Sequence, residues 1–354
     1  MQKNRRIIGI LLIISLLTLL SGGCSAELPL TRFSGEFLEL FDTVTQVVGY
    51  APTKEAFEQV VSDLRAELRI YHQLFDIYHD YEGLVNLKTL NDHAGGDPLV
   101  VDSRIIELLA FCERMYRETD GVVNYAYGAV LRQWHDAREF AVDNPDSAKI
   151  PLPDDLIAAS HHTDPSTVRI DVASSTVQIT DPDVRLDVGA IAKGYAVEQV
   201  ARSIERKYPG MPLLIGVGGN IRAIGFKDPQ KLLPWSVGIQ NPDPDAEPAV
   251  LKSLNLVGQS MVTSGDYQRY FTVDGVKYHH IIDPATHMPA NHYRSVTILT
   301  DDSGRADALS TAAYILPFEQ AKALIEGQEG AEAFFVLSDG SQVWTAGLEA
   351  FFRN

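Results

Sequence analysis

The sequence predicts an α+β fold of antiparallel sheets with packed helices. Strand-like runs arrive in hairpin-like pairs, helical patterns fall between the groups of strands, and no fixed-period repeat or low-complexity tract interrupts them. A doubly wound parallel sheet would instead alternate strand and helix along the chain.

The elements follow in order. "FLELFDTVTQVVGYA" is rich in β-branched residues and reads as a strand. In "TKEAFEQVVSDLRAELRIYHQLFDIY", Thr53 is placed to cap a helix whose apolar residues recur at helical spacing. "VDSRIIELLAFCERMYRETDG" predicts a second amphipathic helix closed by Gly121. From Arg138 to Ser166 the chain is rich in Asp, Pro and His and reads as loop around one short helix, "PDDLIAAS". Alternation returns in "STVRIDVASSTVQIT", and a long helix is expected from about Ala190 to Tyr208, stopped by Pro209-Gly210. "PLLIGVGGNIRAIG" reads as strand, Gly-Gly turn, strand. "WSVGIQ", "KSLNLVGQSMVTS", "RYFTVDGVKYHHII" and "RSVTILT" add further strands. "RADALSTAAYIL" and "FEQAKALIEG" are helical, and "AEAFFVLSDGSQVWTAG" is a hairpin about Asp339-Gly340.

With 354 residues, 45% of them hydrophobic, the chain can bury a large core. A formal charge of −17 excludes a nucleic-acid partner bound by charge, and equally excludes electrostatic adhesion to anionic lipid. Membrane attachment has another source. "MQKNRRIIGILLIISLLTLLSGGCSAE" begins with Lys3, Arg5 and Arg6, continues with an apolar run from Ile7 to Leu20 that is short for a bilayer span, and passes through small residues to Cys24. Ser-Gly-Gly-Cys resembles the lipobox of bacterial lipoproteins, although Ser21 stands where Leu is usual. On that resemblance residues 1–23 are a signal peptide, Cys24 is lipidated, 24–35 form a tether, and 36–354 are the main domain, held outside the cytoplasm on the cell membrane. The alternative is an uncleaved anchor with an incidental cysteine. Cys112 then has no disulfide partner, and its helical spacing with Ile105, Leu108, Leu109 and Met115 makes it a core residue.

Chemistry gathers around "RLDVGAIAKGYAVEQV". A helix opening after Gly189 offers free N–H groups to an anion, and Lys193 in its first turn opposes the helix dipole unless something anionic sits beside it. The spacing is not that of a P-loop. Lys193 as a solvated residue and Asp187 as a cap is the plain alternative. "GVGGNIRAIG" and "VTSGDYQRYF" supply glycine-rich and polar turns, and "YHHIIDPATHMPA" places His280 shortly before Asp283-Pro284. In "RADALSTAAYIL", Asp307 and Thr311 lie four apart, on one helix face. With a backbone carbonyl they make an oxygen-only set suited to Mg²⁺, unless Asp307 only offsets the dipole.

"LDVGAIAKGYAV", "GVGGNIRAIG", "VTSGDYQRYF", "HIIDPATHMPA" and "SVTILTDDSGRADALSTAAYIL", in that order and spacing, resemble the FAD:protein FMN transferases, the ApbE-type flavinylating lipoproteins. The resemblance runs from about Phe37 to the C-terminus. It implies two intimately associated halves with a flavin cleft between them, Mg²⁺ dependence, and FAD as bound substrate. It implies that Asp187 and Lys193 contact FAD, that Tyr78 offers an aromatic contact, and that Phe41, Val122, Val123, Asn124 and Ile282 border the flavin. It implies metal ligands in the Ala190 carbonyl and the side chains of Asp307 and Thr311, with His280 as general base and Asp283 beside it among the catalytic residues. Asn124 departs from the usual Asp, Phe41 stands in "FDT" where Met-Gly-Thr is common, and His287 replaces the Gly of the "DPxTG" pattern. The implied reaction carries FMN from FAD to a Ser or Thr hydroxyl in a short Asp-Gly-containing motif of a partner, releasing AMP. Implied partners are acceptor flavoproteins of membrane or extracytoplasmic electron transfer, such as subunits of ion-pumping oxidoreductases. The chain itself has no convincing copy of the motif. The alternatives are a Mg²⁺-dependent FAD pyrophosphatase giving FMN and AMP, a non-catalytic flavin-binding lipoprotein, and a structural envelope lipoprotein.

Overall fold

What reads as a single strand near the N-terminus is a hairpin in the computed structural model, which describes residues 30–267 and 269–353. Its strands are β1 (Thr31–Leu40) and β2 (Thr43–Ala51). Phe41 and Asp42, at φ 55° and 50°, form the turn between them, the left-handed pair of a tight hairpin turn, which normally takes Asn-Gly. Residues 31–35 therefore belong to the sheet and not to the expected tether. Cys24 and the leader lie outside the described residues.

Then come α1 (Lys54–Phe75), α2 (Leu87–Asp92), β3 (Leu99–Val100), α3 (Ser103–Glu118), α4 (Gly128–Asp143), α5 (Pro153–Ser160), β4 (Val168–Asp171) and β5 (Thr176–Ile179). After α6 (Ala192–Lys207) follow β6 (Leu213–Val217), β7 (Asn220–Ile224), β8 (Trp235–Gln240), β9 (Val250–Leu256) and β10 (Ser260–Gly265). The chain ends with β11 (Tyr270–Val273), β12 (Val276–His279), β13 (Tyr293–Thr300), α7 (Ser303–Ile315), α8 (Phe318–Glu326), β14 (Glu332–Leu337) and β15 (Gln342–Trp344).

The helices form where caps and apolar stripes coincide. Thr53 accepts from the Ala56 amide at the start of α1, and Phe57, Val60, Leu64 and Leu68 are buried along its face. Asp102 caps α3 in the same way, and Cys112 is fully buried within it, its thiol pushed up by desolvation. The segment from Arg138 to Asp143, expected as loop, is the last turn and a half of α4. Its N-cap, Tyr127, makes no side-chain capping bond, so the sequence carries no start signal for this helix.

Eight strands form one antiparallel sheet in the order β1-β2-β6-β7-β10-β13-β14-β15. It is covered on both faces. In β14, Ala333 and Phe335 pack with α7 and α8, while Phe334 and Val336 pack with the β8–β9 hairpin and Leu348. Burial on both sides explains why this antiparallel strand reads as a continuous apolar run. On the helix side, α1, α3 and α6 share the largest core with β2 and β6. A smaller cluster joins α4 and α5 to the β11–β12 hairpin through Val130, Trp134, Leu156 and Phe271. Among the described residues no helix is long and apolar enough to cross a membrane.

Helices α6 and α7 meet at Gly194. A β-carbon there would run into the Ser303 carbonyl oxygen and lie 2.6 Å from Asp307 Cβ. Helix propensity alone favours Gly194→Ala by about 1 kcal/mol, but forcing two packed helices apart costs about 1–3 kcal/mol or more. The substitution is expected to lower Tm by several degrees. A thermal melt showing an unchanged or raised Tm would contradict this packing.

Candidate active site

A cleft of about 880 Å³ opens where the α4–β11–β12 cluster faces α6, α7 and the sheet, a size that takes a ligand larger than a mononucleotide. Phe41, Tyr78, Val122, Val123, Asn124, Asp187, Ala190, Lys193, His280, Ile282, Asp307 and Thr311 all line it. Residues drawn from positions 41 to 311 thus converge on one wall-to-wall site.

Each is held by local structure. Asp187 Oδ1 accepts from the Gly189 amide at 2.9 Å, which bends the chain into α6. The extended segment leading to it is fixed by Asn91, whose side chain donates to the Leu186 carbonyl (2.9 Å) and accepts from the Leu186 amide (2.6 Å). Helix α6 begins at Ala192, two residues later than its sequence suggests, after a turn in which Ile191 and Ala192 both donate to the Val188 carbonyl. Its N-cap, Ile191, has no capping side chain. Asp307 of α7 does that work from outside: Oδ2 accepts from the Gly194 amide at 2.8 Å, and Oδ1 lies 3.6 Å from the Lys193 ammonium. The lysine in the first turn therefore has an anionic partner before any ligand arrives. Burial lowers its pKa, and Asp307 pulls it back up. Burial raises Asp187, opposed by the Gly189 amide, His135 and Arg269.

Behind this pair lies a group that no sequence motif singles out. Glu198 of α6, 1% exposed, accepts from Arg222 Nε (2.9 Å), Arg202 Nε (2.8 Å) and the Ser303 amide (3.0 Å). It ties α6 to β7 and to the start of α7, which sets where Asp307 falls. The glutamate and Arg222 lie 24 residues apart in sequence, so no local pattern joins them.

His280 is open to the cleft, and its Nδ1 lies 3.2 Å from the Arg269 carbonyl. A carbonyl only accepts, so Nδ1 carries the hydrogen in that bond and Nε2 keeps a free lone pair. Desolvation in the cleft, then the Arg269 and His279 charges, push His280 down to about 3. The ring is neutral at ordinary pH. Tyr78 stacks on His135, with centroids 4.6 Å apart, and its loop is folded by Asp76, which accepts from the Tyr78 amide (2.7 Å) and the Tyr81 hydroxyl (2.8 Å). Asn124 accepts from the Ala126 amide and donates to the Thr163 carbonyl, both at 2.8 Å. An aspartate could make only the first bond, which accounts for the amide.

Asp283 sits in the turn beyond these residues. Its carboxylate accepts from the Ala285 amide (2.8 Å) and Thr286 Oγ1 (3.2 Å), and it is absent from the lining of the cleft. Asp-Pro nucleates a turn, and the acid is spent on forming it. At the end of that turn His287 has φ 59°, which explains why glycine suits the position. A side chain there costs about 1–2 kcal/mol.

Mg²⁺ passes a test on the residues present. Asp307, Thr311 and Ala190 all line the cleft, and a carboxylate, a hydroxyl and a backbone carbonyl make an all-oxygen set of the kind this ion takes, with Asp307 Oδ2 bonded to the Gly194 amide and Oδ1 beside Lys193. His162, Asp181 and Asp183 also bring possible ligand atoms within 4.8 Å of one another. There His162 spends both ring nitrogens on the two carboxylates, at 2.9 and 3.8 Å, as an ion-paired imidazolium does.

Fold and cleft together define an α+β protein with a large cleft lined by Lys193, Arg269, aromatic side chains and the His280 imidazole. Residues 41–335 match the ApbE family. The chain is 35% identical over 275 residues to an FAD:protein FMN transferase of Treponema pallidum, covering 74% of this chain and 73% of the relative. It is 32% identical over 272 residues to one of Klebsiella pneumoniae, covering 75% and 81%. The crystal structure of an ApbE protein of Thermotoga maritima superposes with a TM-score of 0.81 at 27% identity, covering 92% of this chain and all of that one. The chain belongs to the ApbE family.

Proposed function

We propose that this protein transfers the FMN half of FAD to a Ser or Thr hydroxyl of an acceptor protein, with Mg²⁺. It is a transferase. The observation that carries the reading is the placement of a lysine–carboxylate pair and a neutral histidine with a free Nε2 in one cleft large enough for a dinucleotide.

In the reaction, the acceptor oxygen attacks the FMN-side phosphorus and the anhydride P–O bond breaks. AMP leaves, and FMN stays on the acceptor as a phosphoester. His280 Nε2 takes the hydroxyl proton. Lys193 and Arg269, both on the cleft wall, face the diphosphate charge. A bound anion restores the protonated state that burial disfavours in Lys193. Tyr78, stacked on His135, presents a ring face to an aromatic ligand. Asp307, Thr311 and the Ala190 carbonyl would hold Mg²⁺, which when bound neutralises phosphate oxygens. The leader and Cys24 support export and lipid anchoring, which places the enzyme beside acceptors of extracytoplasmic electron transfer.

The test is incubation with FAD, Mg²⁺ and an acceptor carrying the Asp-Gly-containing motif, followed by a denaturing gel. Flavin fluorescence should run with the acceptor, disappear with a chelator and return with added Mg²⁺. Release of free FMN and AMP with no labelled protein would mean a pyrophosphatase. Bound FAD with no AMP release would mean a binding protein.

A further inference from the structure

We infer that His287 is a positioning residue, whose bond to the Tyr127 hydroxyl clasps the turn after His280 to the head of α4, on the same side of the cleft. The inference rests on the transferase reading for its kinetic consequence and on geometry for the clasp itself. Nδ1 of His287 lies 2.7 Å from the Tyr127 oxygen, and the backbone carbonyl of His287 accepts from Trp134 Nε1 at 2.9 Å. Both partners lie at or in α4, so the turn is fastened to that helix at two points. Tyr127 is 6% exposed and lines the cleft with Trp134, Ile282 and His280. It is also bridged to Arg185, whose carbonyl accepts from the Gly128 amide at 3.0 Å. Arg185 lies two residues before Asp187. The clasp therefore links the segment bearing the proton acceptor to the segment that leads into the lysine loop.

The turn it holds is short and closed. Asp283 donates its amide to the Met288 carbonyl (2.9 Å), His287 donates to the Asp283 carbonyl (2.8 Å), and Ala290 donates to the Ile281 carbonyl (3.0 Å). Moving this turn moves His280, which immediately precedes it. A histidine in a left-handed conformation is a poor choice for stability alone. A side chain kept there at that expense has to reach something, and what it reaches is the tyrosine at the head of α4.

The backbone conformation makes the test clean, because His287→Gly removes the imidazole and suits the φ angle better than histidine. His287→Gly and Tyr127→Phe should each lower kcat for transfer about 10-fold, with KM for FAD within about twofold. The double variant should fall no further than either single one. His287→Asn, which tolerates the left-handed region and carries an amide near the place of Nδ1, should recover kcat to within about twofold of the parent. Amide exchange on the ligand-free protein gives a readout without activity: the Asp283 and Ala290 amides should exchange about 10-fold faster in His287→Gly than in the parent. Unchanged kcat in His287→Gly, additive losses in the double variant, or unchanged exchange at Asp283 and Ala290 would each overturn the clasp. If the parent chain transfers no FMN, the transferase reading falls and the exchange measurement still decides the clasp.

Discussion

His280→Ala should lower FMN transfer by about 10²–10⁴-fold while FAD still binds, because a positioned base contributes about that much to moving a proton in the transition state. The ring is held for the task by one bond, from Nδ1 to the Arg269 carbonyl. Its environment favours the uncharged form, with burial acting first and Arg269 second. A depressed pKa keeps the imidazole unprotonated at neutral pH, so Nε2 has a lone pair to offer the hydroxyl proton, at the cost of some basicity. In an NMR titration, the His280 ring resonances, assigned by their loss in His280→Ala, should move well below the ordinary 6.5. A midpoint near 6.5 would remove the electrostatic part of the account. A His280→Ala enzyme within about threefold of the parent rate would remove the base itself.

Asp307→Asn should lower transfer by about 10²–10³-fold and raise the Mg²⁺ concentration needed for half-maximal rate. This exchange separates two roles that the sequence leaves tangled. An asparagine oxygen can still accept from the Gly194 amide, so the cap on α6 survives. What disappears is the charge facing Lys193 and the cleft. If Asp307 served only the helix, the variant would work as well as the parent. Gel fluorescence across a Mg²⁺ series distinguishes the outcomes, and superimposable curves would retire Asp307 as a ligand. FAD affinity without metal should hold or rise, since a carboxylate is removed from beside a diphosphate.

Much of this protein is written locally. Helices α1 and α3 follow from capped apolar stripes, and the β4–β5 and β6–β7 hairpins from alternation between turn residues. The cleft residues were legible because short runs carry them whole: Lys193 with its glycines, Asp307 and Thr311 one helical turn apart. What escaped is what distant parts of the chain do to each other. Asn91 imitates a strand partner for Leu186 across 95 residues, and no spacing rule contains that. Helix α4 lacks a cap and begins at a tyrosine committed elsewhere, so its C-terminal end passed for loop. The motif names Asp283 among the catalytic groups, and the two hydrogen bonds of its carboxylate within its own turn are not legible from the motif.

The sheet order has a consequence for how the protein comes into being. Its strands are arranged in the same sequence in which a ribosome would produce them, from β1 to β15. Each newly made strand can dock on the last exposed edge without displacing an earlier one, although β6 must wait for all of α1–α6. Helix α7 follows β13, so an unfinished chain presents the amine of Lys193 with no carboxylate opposite it. On the proposed reading such a chain could not assemble its grip on the dinucleotide, and a product truncated anywhere before residue 307 should be inert however much of its sheet had formed.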